Sequence, residues 1–230
     1  MGKLVLAAKI THVPSMYLSE QDGPHKGCRQ AAIDGHKEIA RRMRELKVDT
    51  IVVFDTHWLV NSGYHINCAP SWEGIYTSNE LPHFIKNLPF SYQGNPELGK
   101  AIAEVATAAG VFTRSHDATS LALEYGTLVP MRYMNEDKQF KVVSVSALCT
   151  VHNLMDSVEL GRAVRRAIEQ SEGNVAVLAS GSLSHRFAQN GVAEQFMHKV
   201  WDPFLETVDH HVVDLWQKGD WKTFCGMLPE

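Results

Sequence analysis

The sequence predicts an α/β fold, a single domain over residues 1–230 with a central, mostly parallel or mixed sheet flanked by helices. Short apolar runs rich in β-branched residues recur at Leu4 to Ile10, Thr50 to Phe54, Phe140 to Leu148 and Asn174 to Ser180. Segments of helical period separate several of them, and strands alternating with helices indicate buried parallel pairing. A chain of 230 residues with 44% apolar content is long enough to enclose one large core.

The first strand runs into a loop carrying Pro14, Gly23, Pro24 and Gly27. A helix from about Gln30 to Leu46 follows, with Ile33, Ile39, Ala40, Met43 and Leu46 on one face. The chain returns through a strand over Asp49 to Thr56, and Tyr64 to Ala69 reads as another. Residues Pro70 to Asn95 mix prolines, glycines and aromatics without clear period, which predicts a long surface excursion. Its aromatic stretch from Trp72 to Tyr92 is a possible interface between subunits. Asn95-Pro96-Glu97 signals a helix start, a cap followed by proline in the first turn, and the helix runs to Gly110. Val111 to Arg114 reads as a short strand, and Leu123 to Pro130 opens or interrupts a helix. A helix over Asp156 to Gln170 separates the last two long strands. Val192 to Lys218 then forms a helix or helix pair, interrupted near Pro203.

Charge and cysteine usage narrow the function classes. With 22 basic and 26 acidic side chains intermixed and a net charge of −4, the chain has no basic stripe for nucleic acid and no polybasic patch for membranes. No apolar run approaches the length of a membrane span, and the N-terminus lacks signal-peptide architecture, so a cytoplasmic protein acting on small molecules is expected. Cys28, Cys68, Cys149 and Cys225 form no C-x-x-C pair and read as reduced, structural thiols.

Two histidines stand where apolar strands give way to polar loops: His12 in Ile10-Thr11-His12-Val13-Pro14-Ser15, and His57 in Phe54-Asp55-Thr56-His57-Trp58. Function in open α/β sheets collects at strand ends, and two neutral imidazoles suit a divalent transition metal. Taken singly, either is more often a structural histidine. Gly181-Ser182-Leu183-Ser184-His185-Arg186 brings His185 to the end of another strand, where an imidazole titrating near neutrality can exchange protons with a substrate; a plain turn with a surface histidine is the competing view. The second glycine of a nucleophile elbow is missing there, which argues against a serine hydrolase. Glu124-Tyr125-Gly126 sets a carboxylate and a phenol beside a residue permitting close approach, a wall for a substrate or, from spacing alone, ordinary helix-start packing. The ladder His198, Asp202, Glu206 and His210 is better read as a solvated face, because Pro203 breaks it. His116 and His152, near strand ends, are kept as supporting groups.

Together, the segments around His12, His57 and His185, with Asn79-Glu80-Leu81-Pro82-His83-Phe84 and Leu123-Glu124-Tyr125-Gly126-Thr127-Leu128-Val129-Pro130, resemble the class III extradiol ring-cleaving dioxygenases over nearly the whole chain. Within that family they are most similar to the branch acting on 3,4-dihydroxyphenylacetate. The resemblance implies that His12 and His57 bind a non-haem Fe(II), with Mn(II) or Mg(II) as alternatives. It also implies that His185 is the acid/base, and that O2 and a catecholic acid are the substrates, giving 5-carboxymethyl-2-hydroxymuconate semialdehyde in a homo-oligomer. Where many relatives have Asp-His-Gly, this chain has Glu124-Tyr125-Gly126. Tyr125 is therefore the conjectured replacement for a second histidine, with Glu124 lining the substrate. A carboxymethyl group calls for a cationic partner, and Arg132 or Arg186 can serve. The family's third ligand, a glutamate in a glycine-rich segment near the C-terminus, has no match before Met227-Leu228-Pro229-Glu230. Glu230 is not given that role, a longer chain with a further C-terminal segment is expected, and Asp55 is the fallback carboxylate. Two rival readings stay open: a metal-dependent hydrolase or decarboxylase on the same scaffold, and a catalytically silent binding subunit.

Overall fold

Strands buried on both faces must be apolar at successive positions, and the runs read from the sequence pair in that way. The computed structural model describes residues 1–148, 153–186, 188–196 and 199–228. Its contacts divide the chain into two units, Met1–Gly181 and Ser182–Glu230.

The first unit holds β1 (Lys3–Ile10), α1 (Ser15–Leu18), α2 (Gln30–Glu45), β2 (Thr50–Asp55), β3 (Tyr64–Asn67), β4 (Ser71–Tyr76), β5 (Leu88–Gln93), α3 (Pro96–Ala108), β6 (Thr113–His116), α4 (Tyr125–Met134), β7 (Lys141–Ser146), α5 (Leu154–Gln170) and β8 (Asn174–Ser180). Six strands form one sheet in the order β1-β8-β2-β7-β3-β6. The neighbours are parallel except for β3, which runs antiparallel to β7. This is the mostly parallel sheet with flanking helices that the alternation predicts.

Alternate strand residues feed two cores. Ile51, Val53, Ala176 and Leu178 face one side with Ile33, Met43, Leu128 and Met131 of α2 and α4. Val52, Val143, Val175 and Val145 face the other with Leu98, Ile102, Leu160 and Val164 of α3 and α5. Each of these side chains larger than alanine contributes about 1.5–3 kcal/mol by leaving water. Asn95 caps α3 by accepting from the Leu98 N–H at 3.1 Å, and Pro96 occupies its first turn, as expected.

Several expectations are corrected. Residues Pro70 to Asn95 are not merely a long surface excursion, because β4 and β5 pair antiparallel as a separate ribbon from Ser71↔Gln93 to Tyr76↔Leu88. Trp72, Leu88 and Tyr92 are buried in the first core, and Ile85 of the connecting loop joins them. A two-stranded ribbon tolerates Pro89 because each strand has an outer edge that needs no ladder bond. The strand expected over Val111 to Arg114 starts two residues later; Val111 instead closes the end of α3, its N–H donating to the Ala106 carbonyl at 3.0 Å.

The second unit contains α6 (Ala193–Phe196), α7 (Pro203–Lys218) and α8 (Trp221–Met227). The helix pair expected over Val192 to Lys218 breaks just before Pro203, which begins α7, and Asp202 caps that second helix by accepting from the Phe204 and Leu205 N–H groups. The supposed ladder loses Asp202 to this cap. His198, with Cys149, His152 and Glu230, lies outside the described residues. Among the described residues no helix is long and apolar enough to cross a membrane.

Candidate active site

His12 follows β1 and His57 follows β2, and β8 lies between those two strands in the sheet. Its last residue, Ser180, is in register with Ile10 on one side and Asp55 on the other. The parallel sheet thus gathers both histidines at its C-terminal edge. Their ring centroids are 4.9 Å apart with planes at 84°.

The protonation of His12 follows from its partners. Its Nδ1 lies 2.8 Å from Ser180 Oγ, which lies 2.5 Å from the Gly126 carbonyl. A carbonyl only accepts, so the single hydroxyl proton of Ser180 goes to Gly126 and the oxygen accepts from His12 Nδ1–H. Neutral His12 then carries its lone pair on Nε2, the arrangement of a ligating imidazole whose other nitrogen is held from behind. The ring is almost wholly buried, at 1% exposure. His36 on α2 places Nε2 2.9 Å from the Thr11 carbonyl, next to His12 in the chain.

Asp55 organises the neighbouring loop. One oxygen accepts from the His57 backbone N–H at 2.8 Å and the other from the Thr127 hydroxyl at 2.7 Å. Burial pushes its pKa up to about 6 against these hydrogen bonds. With both oxygens engaged and no solvent exposure, Asp55 acts as a pin for the loop, which corrects its reading as a fallback ligand. A Cβ on Gly126 would fall 2.1 Å from Asp55 Oδ1, so the glycine does permit the close approach read from the sequence.

That approach sets Tyr125, the first residue of α4, against His57. Its hydroxyl is 2.7 Å from His57 Nε2 and 3.2 Å from Glu80 Oε2, and the rings are 4.0 Å apart. Glu80 Oε2 also lies 3.4 Å from His57 Nδ1. Burial, then the charge of Glu80, hold the Tyr125 phenol far above its ordinary pKa, so it is a neutral hydrogen-bond donor at pH 7. Glu124 occupies the N-cap position of α4 without capping it. Its carboxylate accepts from the Tyr76 hydroxyl at 3.1 Å, and burial raises its pKa.

Two imidazoles at right angles, one with its lone pair fixed on Nε2, suit a shared divalent ion with bonds of about 2.0–2.1 Å. Among the described residues no group of three His, Cys, Asp or Glu side chains is arranged to hold one. A family model described as the catalytic LigB subunit of aromatic ring-opening dioxygenase matches residues 6–230. The chain belongs to this family.

Among curated relatives, 3,4-dihydroxyphenylacetate 2,3-dioxygenase of Escherichia coli is 64% identical over 230 residues, all of this chain and 83% of that protein. The 2-aminophenol 1,6-dioxygenase beta subunit of Pseudomonas sp is 28% identical over 197 residues, 82% of this chain and 64% of that protein. The crystal structure of uncharacterized protein JW3007 from Escherichia coli K12 overlaps with a TM-score of 0.49 and 16% identity, covering 67% of this chain and 54% of that one.

The remaining sequence candidates of this LigB-family chain are placed as follows. His185 belongs to the second unit, where its Nδ1 donates to the Leu183 carbonyl at 2.7 Å, so the neutral ring carries its lone pair on Nε2. Arg186 pairs with Asp202 at 2.6 Å in the same unit. Arg132, on α4, is bound to both oxygens of Glu20 and lies over the Tyr17 ring at 5.1 Å. His116 hydrogen-bonds His65 at 2.8 Å, with Trp58 packed edge-on to both rings. Sequence reasoning missed Ser180, Thr127, His36 and Glu80 as contributors. For Glu80 the available signal is an acid within an aromatic stretch whose lack of clear period hides the ribbon.

Proposed function

We propose that this chain catalyses extradiol cleavage of 3,4-dihydroxyphenylacetate with O2, giving 5-carboxymethyl-2-hydroxymuconate semialdehyde. The observation that carries the substrate is the 64% identity, across all 230 residues, to the enzyme of that name. The paired histidines at the edge of the sheet support the chemistry.

In this reading His12 and His57 hold a divalent metal, Fe(II) first and Mn(II) or Mg(II) as alternatives. The ion supplies acidification of a catechol hydroxyl and a site for dioxygen chemistry. The protein's own groups do the rest. Tyr125, neutral at pH 7, donates a hydrogen bond at the ring; Glu124 forms the wall beside it. His185, whose Nδ1 is held by Leu183, takes a catechol proton on Nε2 and returns it as the ring opens. Both atoms of O2 end in the product. The substrate carboxylate is matched to an arginine, Arg132 or Arg186, each of which binds a carboxylate, Glu20 or Asp202, in the structure. The reading treats residues 1–230 as parts of one catalytic domain, in a homo-oligomer, in the cytoplasm; the free thiols Cys28, Cys68 and Cys225 suit a reducing compartment.

The test is anaerobic loading with Fe(II), then addition of oxygenated 3,4-dihydroxyphenylacetate with O2 uptake and yellow product followed together. One O2 consumed per ring opened is expected, falling to background in His12→Ala. A folded, iron-loaded chain that consumes no O2 while the 64%-identical relative is active in the same assay would overturn the proposal.

A further inference from the structure

We propose that one face of the β3–β6 edge is a second ligand site, built for a phenolic carboxylate. It lies within the first unit and does not depend on the metal-site reading above.

The site follows from the alternation of an edge strand. β6 is the last strand of the sheet, and Thr113 at its start is buried. Phe112, Arg114 and His116 therefore share the opposite face, to which β3 adds His65, in register with Arg114. The Arg114 guanidinium lies 5.3 Å from the centre of the Phe112 ring. Trp58 stands edge-on to both imidazoles, its ring 6.2 Å from each. Together with Ser62 these side chains line an open cavity of about 510 Å³, a size common among small-molecule sites.

The ligand class follows from what the lining offers. The Ser62 carbonyl only accepts, so His65 Nε2–H donates to it at 3.3 Å, and His65 Nδ1 accepts from His116 Nε2–H at 2.8 Å. Burial, then the charges of His65 and Arg114, lower the pKa of His116, so its ring is neutral at pH 7. Neutral His116 keeps its remaining lone pair on Nδ1, which hydrogen-bonds no described residue. No acidic side chain lines the cavity, and the neighbouring Asp117 is 3.3 Å from Lys100. The face thus presents one free acceptor, a guanidinium and two aromatic rings. An acceptor calls for a hydroxyl, a guanidinium for a carboxylate, and Trp58 and Phe112 for an aromatic ring. Two residues along a strand span about 6.6 Å, which suits a benzene ring carrying the two polar groups at opposite ends. Trp58 also joins this cavity to the candidate active site: it follows His57 in the chain, and both backbone N–H groups donate to Asp55.

The experiment titrates the chain with 4-hydroxyphenylacetate, which has the phenol and the carboxylate but lacks the adjacent hydroxyls of a catechol, and follows His65 and His116 in nitrogen-15 histidine spectra. Saturable shifts of both are expected, with weaker binding of phenylacetate, which lacks the hydroxyl, and of 4-methylphenol, which lacks the carboxylate. Arg114→Gln raises the Kd for 4-hydroxyphenylacetate about fivefold and leaves that for 4-methylphenol unchanged, a split that a loss of structure would not produce. Shifts confined to His12 and His57, or equal affinity in the parent and Arg114→Gln, would overturn the site. Shifts that grow with protein concentration in the absence of ligand would mark the face as a contact between copies of the chain and overturn it likewise. None of these failures touches the ring-cleavage reading, which assigns no role to Arg114 or His116.

Discussion

Ser180 has one hydroxyl proton, and its destination decides what His12 offers a metal. Removing that oxygen leaves Nδ1–H without its acceptor, so Ser180→Ala is expected to weaken Mn(II) binding by about 10–100-fold while the fold persists. Unaltered affinity would show that the buried ring is oriented by packing alone. At this scale the sequence was partly legible. His12 and His57 stand out because each ends an apolar strand, a local signal. Ser180 does not, because a serine at a strand end has many ordinary uses and its meaning here depends on β8 entering the sheet between β1 and β2. Glu80 was hidden for the same reason: its partners, at positions 57 and 125, come from distant elements.

Helix α4 is the element that carries the chemistry toward the strands. Its second residue must be glycine, since any Cβ there would strike the buried Asp55 carboxylate at 2.1 Å. Gly126→Ala is therefore expected to push α4 away from β2, destabilising the protein by about 1–3 kcal/mol and separating Tyr125 from His57. A thermal melt reads the destabilisation, and an unshifted melting temperature would refute the account. Elements with one period, such as α3, α5 and β8, were legible because propensity, caps and apolar spacing agree. The β4–β5 ribbon was not, since Pro89 and Gly74 interrupt its alternation and its inward residues Trp72 and Tyr92 are far apart in sequence yet adjacent in space. The break near Pro203 was legible too, because a proline that follows a capping aspartate starts a new helix and cannot continue an old one.

Across the molecule, the parallel sheet was readable from alternation, whereas its strand order was not, because crossover connections leave no local mark. One tie between distant segments has a pH signature. Glu20, beyond α1, pairs with Arg132 of α4. Burial raises the Glu20 pKa, but the hydrogen bond and charge of Arg132 outweigh it and the net direction is downward from 4.5. A carboxylate with a depressed folded-state pKa adds stability that is complete above the unfolded value and is lost as pH falls through the folded one. The stability gap between the parent and Glu20→Gln is thus expected to be constant, about 1 kcal/mol, from pH 6 to 8 and to close below pH 4.5. A gap that widens in acid would contradict the pairing.

The position of β8 has one more consequence, for how this sheet tolerates change in length. Strand side chains alternate between faces, so a one-residue change between Gly173 and Ser180 would turn every later side chain over, an insertion presenting Ala179 and a deletion Gly181 where the hydroxyl now stands. Substitutions along the strand alter packing by degrees, but an indel there would erase the support of His12 at a stroke. Variation in chain length among descendants of this sequence should therefore be confined to loops, leaving β8 invariant in residue count even where its residues drift.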